Sequence, residues 1–181
     1  MDTRFTWQLE GRAFVFGDDI GIDGDLMPLE FALRRELRPE VLREHVFEQI
    51  DATLAKRIQP GDIVVGGRRF AQGNPHIQGL IGLAGAGVGL VVESIPSGSY
   101  RNAVSAGLRF LPKCPGVSAM VETGHELAVD FAEGTVRNLT TGETRWFEPL
   151  PKALRDIIAI GGWRESFRRR LAARQAATQL A

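Results

Sequence analysis

One stretch constrains the fold of this chain more than any other. An apolar β-type run, Asp62-Ile63-Val64-Val65, feeds a glycine-punctuated loop, Gly66-Gly67-Arg68-Arg69-Phe70-Ala71-Gln72-Gly73-Asn74-Pro75-His76. A small-residue, largely apolar segment follows, Ile77 to Ala86, and then a second β-type run, Val88 to Val92. Strand, loop, helix and strand in this order form the repeating unit of α/β proteins, and the loop after the strand is where such proteins place their chemistry. The middle segment is apolar on most faces and rich in glycine. That predicts a buried helix packed closely against its neighbours in spite of the helix cost of glycine, with Gly87 as its C-terminal cap.

The remaining pattern agrees with an α/β chain. Gly11 to Gly17 reads as a short buried strand, and Asp18 to Pro28 as a loop. Residues 29 to 38 are expected to be helical, and Pro39 suits the first turn of a second helix running from Glu40 to about Ile50. Tyr100 to Gly107 reads as a further helix. Leu127–Phe131 and Thr135–Leu139, joined by a turn at Glu133-Gly134, read as a hairpin, and Thr141-Gly142 as another turn. Pro151 opens a last helix, Gly161-Gly162 breaks it, and a basic tail from Arg164 to Ala181 reads as a solvated amphipathic helix. With 181 residues, no repeat and no low-complexity linker, residues 1–181 are expected to form one domain.

Composition narrows the function. Lys plus Arg and Asp plus Glu both number 22, so no overall field favours nucleic acid or an acidic membrane surface. No apolar stretch is long enough to span a bilayer, the residues Met1 to Trp7 lack the pattern of a signal peptide, and a cytoplasmic location is expected. The single cysteine, Cys114, cannot hold an iron–sulfur cluster alone, and the three histidines are scattered. No metal site is expected in this chain. Gly85, Gly87 and Gly89 lie at a helix end and a strand start, the reverse of what a dinucleotide fingerprint requires.

Four stretches, in order, are similar to the small subunit of isopropylmalate dehydratases, the swivel domain of the aconitase family. They are Gly11-Arg12-Ala13 with Gly24-Asp25-Leu26-Met27-Pro28; His45-Val46-Phe47 through Pro60-Gly61-Asp62-Ile63-Val64-Val65; Tyr100-Arg101-Asn102-Ala103 with Gly107-Leu108; and Val129-Asp130 through Gly134-Thr135-Val136-Arg137-Asn138, Thr140-Thr141-Gly142, Pro149-Leu150-Pro151 and Gly161-Gly162. The resemblance implies a swivelling β/β/α domain. It also implies a large partner subunit that carries a four-iron four-sulfur cluster, and a small hydroxy-dicarboxylate substrate from which water is removed or to which it is added. In that family a glycine-serine-serine-arginine-glutamate loop of the small subunit closes the site. Its first serine is the base, and its arginine grips a carboxylate.

This chain departs from the family in that loop. Gly73 matches the loop glycine, but Asn74 and Pro75 stand in place of the serines, His76 in place of the arginine and Ile77 in place of the glutamate. Asn74 has no proton to lose at neutral pH. After Pro28 the family places a basic residue and a tyrosine where its loop senses the substrate's variable group; here stand Leu29, Glu30 and Phe31, and Glu30 would disfavour a second anionic arm.

His76, Asn74 and Asp25 are therefore the candidate catalytic residues, and Gly73, Arg68, Arg69, Glu30 and Phe31 the candidate substrate-binding ones. His76 can serve as a general base or acid, as an imidazolium that holds a carboxylate, or as a plain residue at a helix start. Asn74 can donate to a carboxylate or oxyanion, or cap the helix. Arg68 and Arg69 can replace the missing guanidinium or form a solvated pair. Asp25 matches a family aspartate near the open site. His45 and His125 read as structural. The expected function is the small subunit of an isopropylmalate dehydratase-like hydro-lyase, inactive alone. A hydratase of an alkylated maleate and a swivel module that has lost its chemistry stay open as alternatives.

Overall fold

The computed structural model describes residues 5–179; the expectations that reach residues 1–4 and 180–181, at the start of the chain and the end of the basic tail, lie outside them. Its centre is a curled, mixed sheet of seven strands in the order β4-β3-β2-β1-β5-β6-β7. The strands are β1 (Gln8–Phe16), β2 (Ile63–Gly66), β3 (Gly89–Val92), β4 (Arg109–Leu111), β5 (Glu126–Asp130), β6 (Thr135–Asn138) and β7 (Thr144–Trp146). β1 changes neighbours halfway along. Gln8 to Arg12 pair antiparallel with β5, and Ala13 to Phe16 pair parallel with β2. β1 to β4 thus form a parallel half, and β5 to β7 an antiparallel half.

Among the described residues seven α-helices accompany the sheet: α1 (Leu29–Leu33), α2 (Pro39–Leu42), α3 (Leu54–Arg57), α4 (Gln78–Ala86), α5 (Ser97–Ala106), α6 (Lys152–Ala159) and α7 (Trp163–Gln179). Successive strand residues point to opposite faces, and the buried residues divide accordingly. Val64 and Leu90 join Phe14, Phe16, Met27, Phe47, Leu80 and Phe110 on the helix side. Ile63, Val65 and Val91 join Leu111, Cys114, Val117, Leu127, Val129 and Phe131 on the other side. There the curled hairpin β5–β6 and the segment around Cys114 close the second core. This is the β/β/α arrangement expected from the sequence.

The glycine-rich helix is explained by what it touches. A Cβ at Gly79 would meet Leu26, one at Gly82 would meet Val46 and Met27, and one at Gly85 would meet Pro39. The three glycines form a stripe at i, i+3 and i+6, and along it α4 lies against the loop before α1 and against α2. Gly87 ends the helix in the left-handed conformation with φ 74°, as expected.

Two expected helices are cut short. The helix read over 29 to 38 stops at Leu33, where Arg35 turns left-handed with φ 54°. The helix read from Glu40 to Ile50 ends as α helix at Leu42 and continues only as a 3-10 turn, Arg43–His45. Phe47 then adopts φ 60°, which brings its ring onto Phe16 with centroids 4.1 Å apart and its N–H to the Leu26 carbonyl at 3.0 Å. Tertiary stacking outweighs helical periodicity there. The short strands β4 and β7 were not legible in the sequence; each is held by one neighbouring strand.

Candidate functional site

All four parallel strands end on the same side of the sheet, and the loops that leave them gather there. In open α/β sheets this rim is where ligands bind. Two of these loops, residues 17–28 after β1 and 67–77 after β2, run side by side. Asp19 N–H donates to the Arg68 carbonyl at 2.8 Å, Ile22 N–H to Gln72 O at 2.8 Å, and Gln72 N–H to Ile20 O at 3.0 Å. Asp19, Arg69 and Ala71 have φ of 65°, 55° and 60°, a conformation that costs a residue with a side chain. Backbone strain of this kind gathers where the surrounding structure fixes a loop for a purpose.

His76 sits where these loops meet. Its Nδ1 lies 2.8 and 2.9 Å from the two carboxylate oxygens of Asp23. The side chains of His76 and Asp23 are 34% and 25% exposed, so the pair is shielded on one side and open on the other. The loop around His76 is tied down on both flanks. Asn102 Nδ2 donates to the Pro75 carbonyl at 2.7 Å, and Ser99 Oγ donates to the Ala71 carbonyl at 2.5 Å. Gly73, with φ 108°, makes the bend that carries the chain from the Gln72 pairing into Asn74.

The other candidates separate into distinct settings. Asn74 is exposed, and its backbone carbonyl accepts the His76 N–H at 2.7 Å. It is not a helix cap: α4 begins at Gln78, with Ile77 in the cap position. Asp25 Oδ2 accepts the Gly21 N–H at 2.8 Å and so shapes the loop from inside. Arg68 and Arg69 are both engaged. Arg68 Nε donates to Asp18 at 2.8 Å, and the fork of Arg69 holds Asp19, with Nη2 at 2.6 Å. The hydrogen bonds from these guanidinium groups hold both carboxyls below their ordinary range. Glu30 is exposed and pairs with Arg34 at 2.9 Å. Phe31 is only 7% exposed, and its ring lies 4.5 Å from that of His45.

Sequence reasoning missed Asp23, which it treated as one more aspartate in an aspartate-rich loop. Nothing in the local sequence marks it, because its partner is 53 residues away. His45 and His125 serve structure: His45 pairs with Glu48, and His125 Nδ1 lies 2.9 Å from Asn138 Nδ2. Among the described residues no three His, Cys, Asp or Glu side chains are grouped to hold an ion. Cys114 is fully buried, and burial pushes its thiol up to about 12, far from the thiolate that a metal needs. No described helix is long and apolar enough to cross a membrane.

Fold and site together define an α/β swivel-type module that presents a shaped, half-open loop pair at the ends of its parallel strands. Comparison with known proteins narrows the class. The isopropylmalate/citramalate isomerase small subunit of Methanocaldococcus jannaschii is 34% identical over 168 residues, which cover 92% of this chain and 98% of that protein. The 3-isopropylmalate dehydratase small subunit of Pyrobaculum calidifontis is 41% identical over 155 residues, covering 85% and 93%. The small subunit 1 of the same enzyme from Methanopyrus kandleri is 38% identical over 162 residues, covering 89% and 93%. This chain belongs to the 3-isopropylmalate dehydratase small-subunit family. The crystal structure of 3-isopropylmalate dehydratase (LeuD) from M. jannaschii superposes with a TM-score of 0.82 over 94% of this chain and 99% of that one; at 24% identity it bears on the fold. No protein-family model matches the sequence.

Proposed function

We propose that residues 1–181 act as one swivel-type domain, the small subunit of a hydro-lyase that adds water to or removes it from a small hydroxy-dicarboxylate of the isopropylmalate type. The relatives are small subunits by name, which supports a larger partner. In this reading the partner is an aconitase-like large subunit that docks over the loops 17–28 and 67–77. The four-iron four-sulfur cluster implied by the family resemblance belongs to that partner. The isolated chain is inactive.

The observation that carries this reading is the joining of the two loops by backbone hydrogen bonds, with His76 half-exposed between them at the ends of the parallel strands. His76 takes the proton from the carbon next to a substrate carboxylate. The hydroxyl on the neighbouring carbon departs, a carbon–carbon double bond forms, and the net product is one water; the reverse steps hydrate the double bond. Asn74, exposed beside His76, donates its amide to a carboxylate oxygen. Gly73 and Asp25 hold the loop shape. Arg68, Arg69 and Glu30 line the rim, where their ion pairs set the local charge. Phe31 supports the loop after Pro28 from within the core.

The test is co-expression with a large subunit bearing three cluster cysteines, anaerobic purification and an assay of absorbance from an unsaturated dicarboxylate. Turnover by the complex, none by either chain alone, and loss of turnover in His76→Gln with assembly intact are the expected results. A complex that assembles but is inactive, with a large subunit shown to be competent beside another small subunit, would overturn the reading in favour of a module without chemistry.

A further inference from the structure

We infer that Asp23 is the positioning residue that makes His76 a base rather than a carboxylate clamp. This rests on the reading of His76 given above and extends it to a residue that neither the family loop nor the sequence pattern singles out.

Hydrogen-bond capacity fixes the tautomer of His76. An ionised carboxylate can only accept. Both Asp23 oxygens face one nitrogen of His76, Nδ1, at 2.8 and 2.9 Å. Nδ1 therefore carries the hydrogen, and in the neutral ring the lone pair is on Nε2. An isolated imidazole side chain prefers the opposite tautomer, so the carboxylate selects the form that can take a proton at the outward nitrogen. When Nε2 takes the substrate's proton, the Nδ1–H stays directed at the Asp23 carboxylate. This is the division of labour in hydrolase triads, where an aspartate orients the histidine and is not itself protonated.

The same pairing argues against a clamp. A clamp needs net positive charge toward the substrate's carboxylate. His76 as imidazolium beside Asp23 is a neutral pair, and the Asp23 oxygens would themselves repel a second carboxylate approaching Nδ1. A guanidinium at position 76 would be drawn to Asp23 in the same way.

Asp23 is held for this task. Its neighbour Ile22 is 1% exposed and donates to Gln72 O at 2.8 Å, so the residue before Asp23 is fixed to the loop that carries His76. Leu26 N–H donates to Gly21 O at 2.9 Å and Gly24 N–H to Met27 O at 2.9 Å, closing the turn around Asp23. Leu26 and Met27 are buried against α4, the helix whose first turn follows His76. The two members of the pair are thus mounted on one packed unit.

The first test reads the tautomer of His76 in the full-length protein at neutral to mildly alkaline pH, by the nitrogen-15 chemical shifts of the ring. Wild type is expected to show the Nδ1–H form. Asp23→Ala should shift it toward the Nε2–H form, and Asp23→Glu should restore it in part. Predominance of Nε2–H in wild type, or no change in Asp23→Ala, would overturn the inference. The second test uses the reconstituted complex. Asp23→Ala is expected to lower kcat by about 10- to 100-fold with little change in KM, part of the range available to a positioned acid–base group. Asp23→Glu should recover part of it, and His76→Arg should stay inactive. An active Asp23→Ala beside an inactive His76→Gln would overturn this inference alone. An active His76→Gln would overturn the reading of His76 as the base, and this inference with it. Rescue by His76→Arg would show that charge, not proton transfer, is what position 76 supplies.

Discussion

Two sets of carboxylates join the same pair of loops, and they do so differently. At the outer end, Asp18 and Asp19 meet Arg68 and Arg69 in exposed ion pairs. At the inner end, Asp23 meets His76 in a pair that is about one-third exposed or less. The guanidinium forks are turned toward carboxylates of their own chain, so the outer pairs serve chiefly to hold loop to loop. Surface pairs of that kind contribute little on their own. The imidazole has two nitrogens and spends Nδ1 on Asp23; in the proposed reading Nε2 serves the substrate. Position along the loops, rather than the number of charges, separates the exposed ion pairs from the half-shielded one.

The largest effect is expected at His76. His76→Gln in the reconstituted complex is expected to lower kcat by ~100- to 10,000-fold, the usual share of a positioned acid–base group, as measured by steady-state kinetics. Arg68→Ala or Arg69→Ala in the same assay should leave turnover close to wild type. A loss as large as that of His76→Gln would place the outer arginines in the chemistry.

The comparison also depends on a rigid mounting for both loops. Gly82→Leu drives a side chain into Val46, Met27 and the Leu42 carbonyl, where even a Cβ would be 2.7 Å from Val46 Cγ1. Overpacking of this kind should lower unfolding stability by about 1–3 kcal/mol in urea titration. It should also weaken turnover by loosening the loop that carries Asp23.

Acid should dissolve the outer fastening. The Arg68 and Arg69 hydrogen bonds hold Asp18 and Asp19 below their ordinary pKa of 3.8. The Arg38 side chain lowers Glu36 likewise, to about 2. Groups lowered in the folded state add stability above their unfolded pKa and lose it as pH falls through the folded one. Urea midpoints should therefore decline below about pH 4, and Asp18→Asn with Asp19→Asn should flatten that decline. An unchanged acid limb in the double variant would show that the outer pairs contribute nothing.

Near neutral pH, where the thiol is protonated in both states, the smallest effect is expected from Cys114. Its thiol, pushed up by burial from 9.0 to about 12, stays protonated while the unfolded chain ionises. Stability should thus fall as pH rises above about 9 and level off near 12. Thiol-reactive dye should label the folded protein only at the rate of unfolding. Fast labelling at pH 8 would contradict the burial of this residue.

Much of the frame was legible because its signals are local. The run Ile63-Val64-Val65, the glycines after it, the left-handed cap at Gly87 and the turn at Glu133-Gly134 each act through chain neighbours, and the structure places β2, α4, β3 and the β5–β6 hairpin accordingly. Pro151 before α6 and the break at Gly161-Gly162 are of the same kind. The four ordered stretches of family resemblance also lie in the sequence, and the relatives bear out the family to which they point.

Long-range packing settles which residues meet. The helix expected after Pro39 had a sound local pattern, yet it ends early because Phe47 is worth more stacked on Phe16 than continuing a helix, and the one expected after Pro28 stops where Arg35 turns left-handed. β4 and β7 are three-residue strands whose order comes from the ladder beside them. Most of all, Asp23 and His76 are separated by 53 residues, and so are not neighbours in any local pattern. Parallel pairing of β1 with β2 sets their loops side by side, and the glycine stripe of α4 lets the packing close behind them. Local sequence was enough for the central strand–loop–helix–strand unit, for the β5–β6 hairpin and for the loop that carries the unusual residues. Long-range register and close packing decided that one aspartate among several would face the histidine.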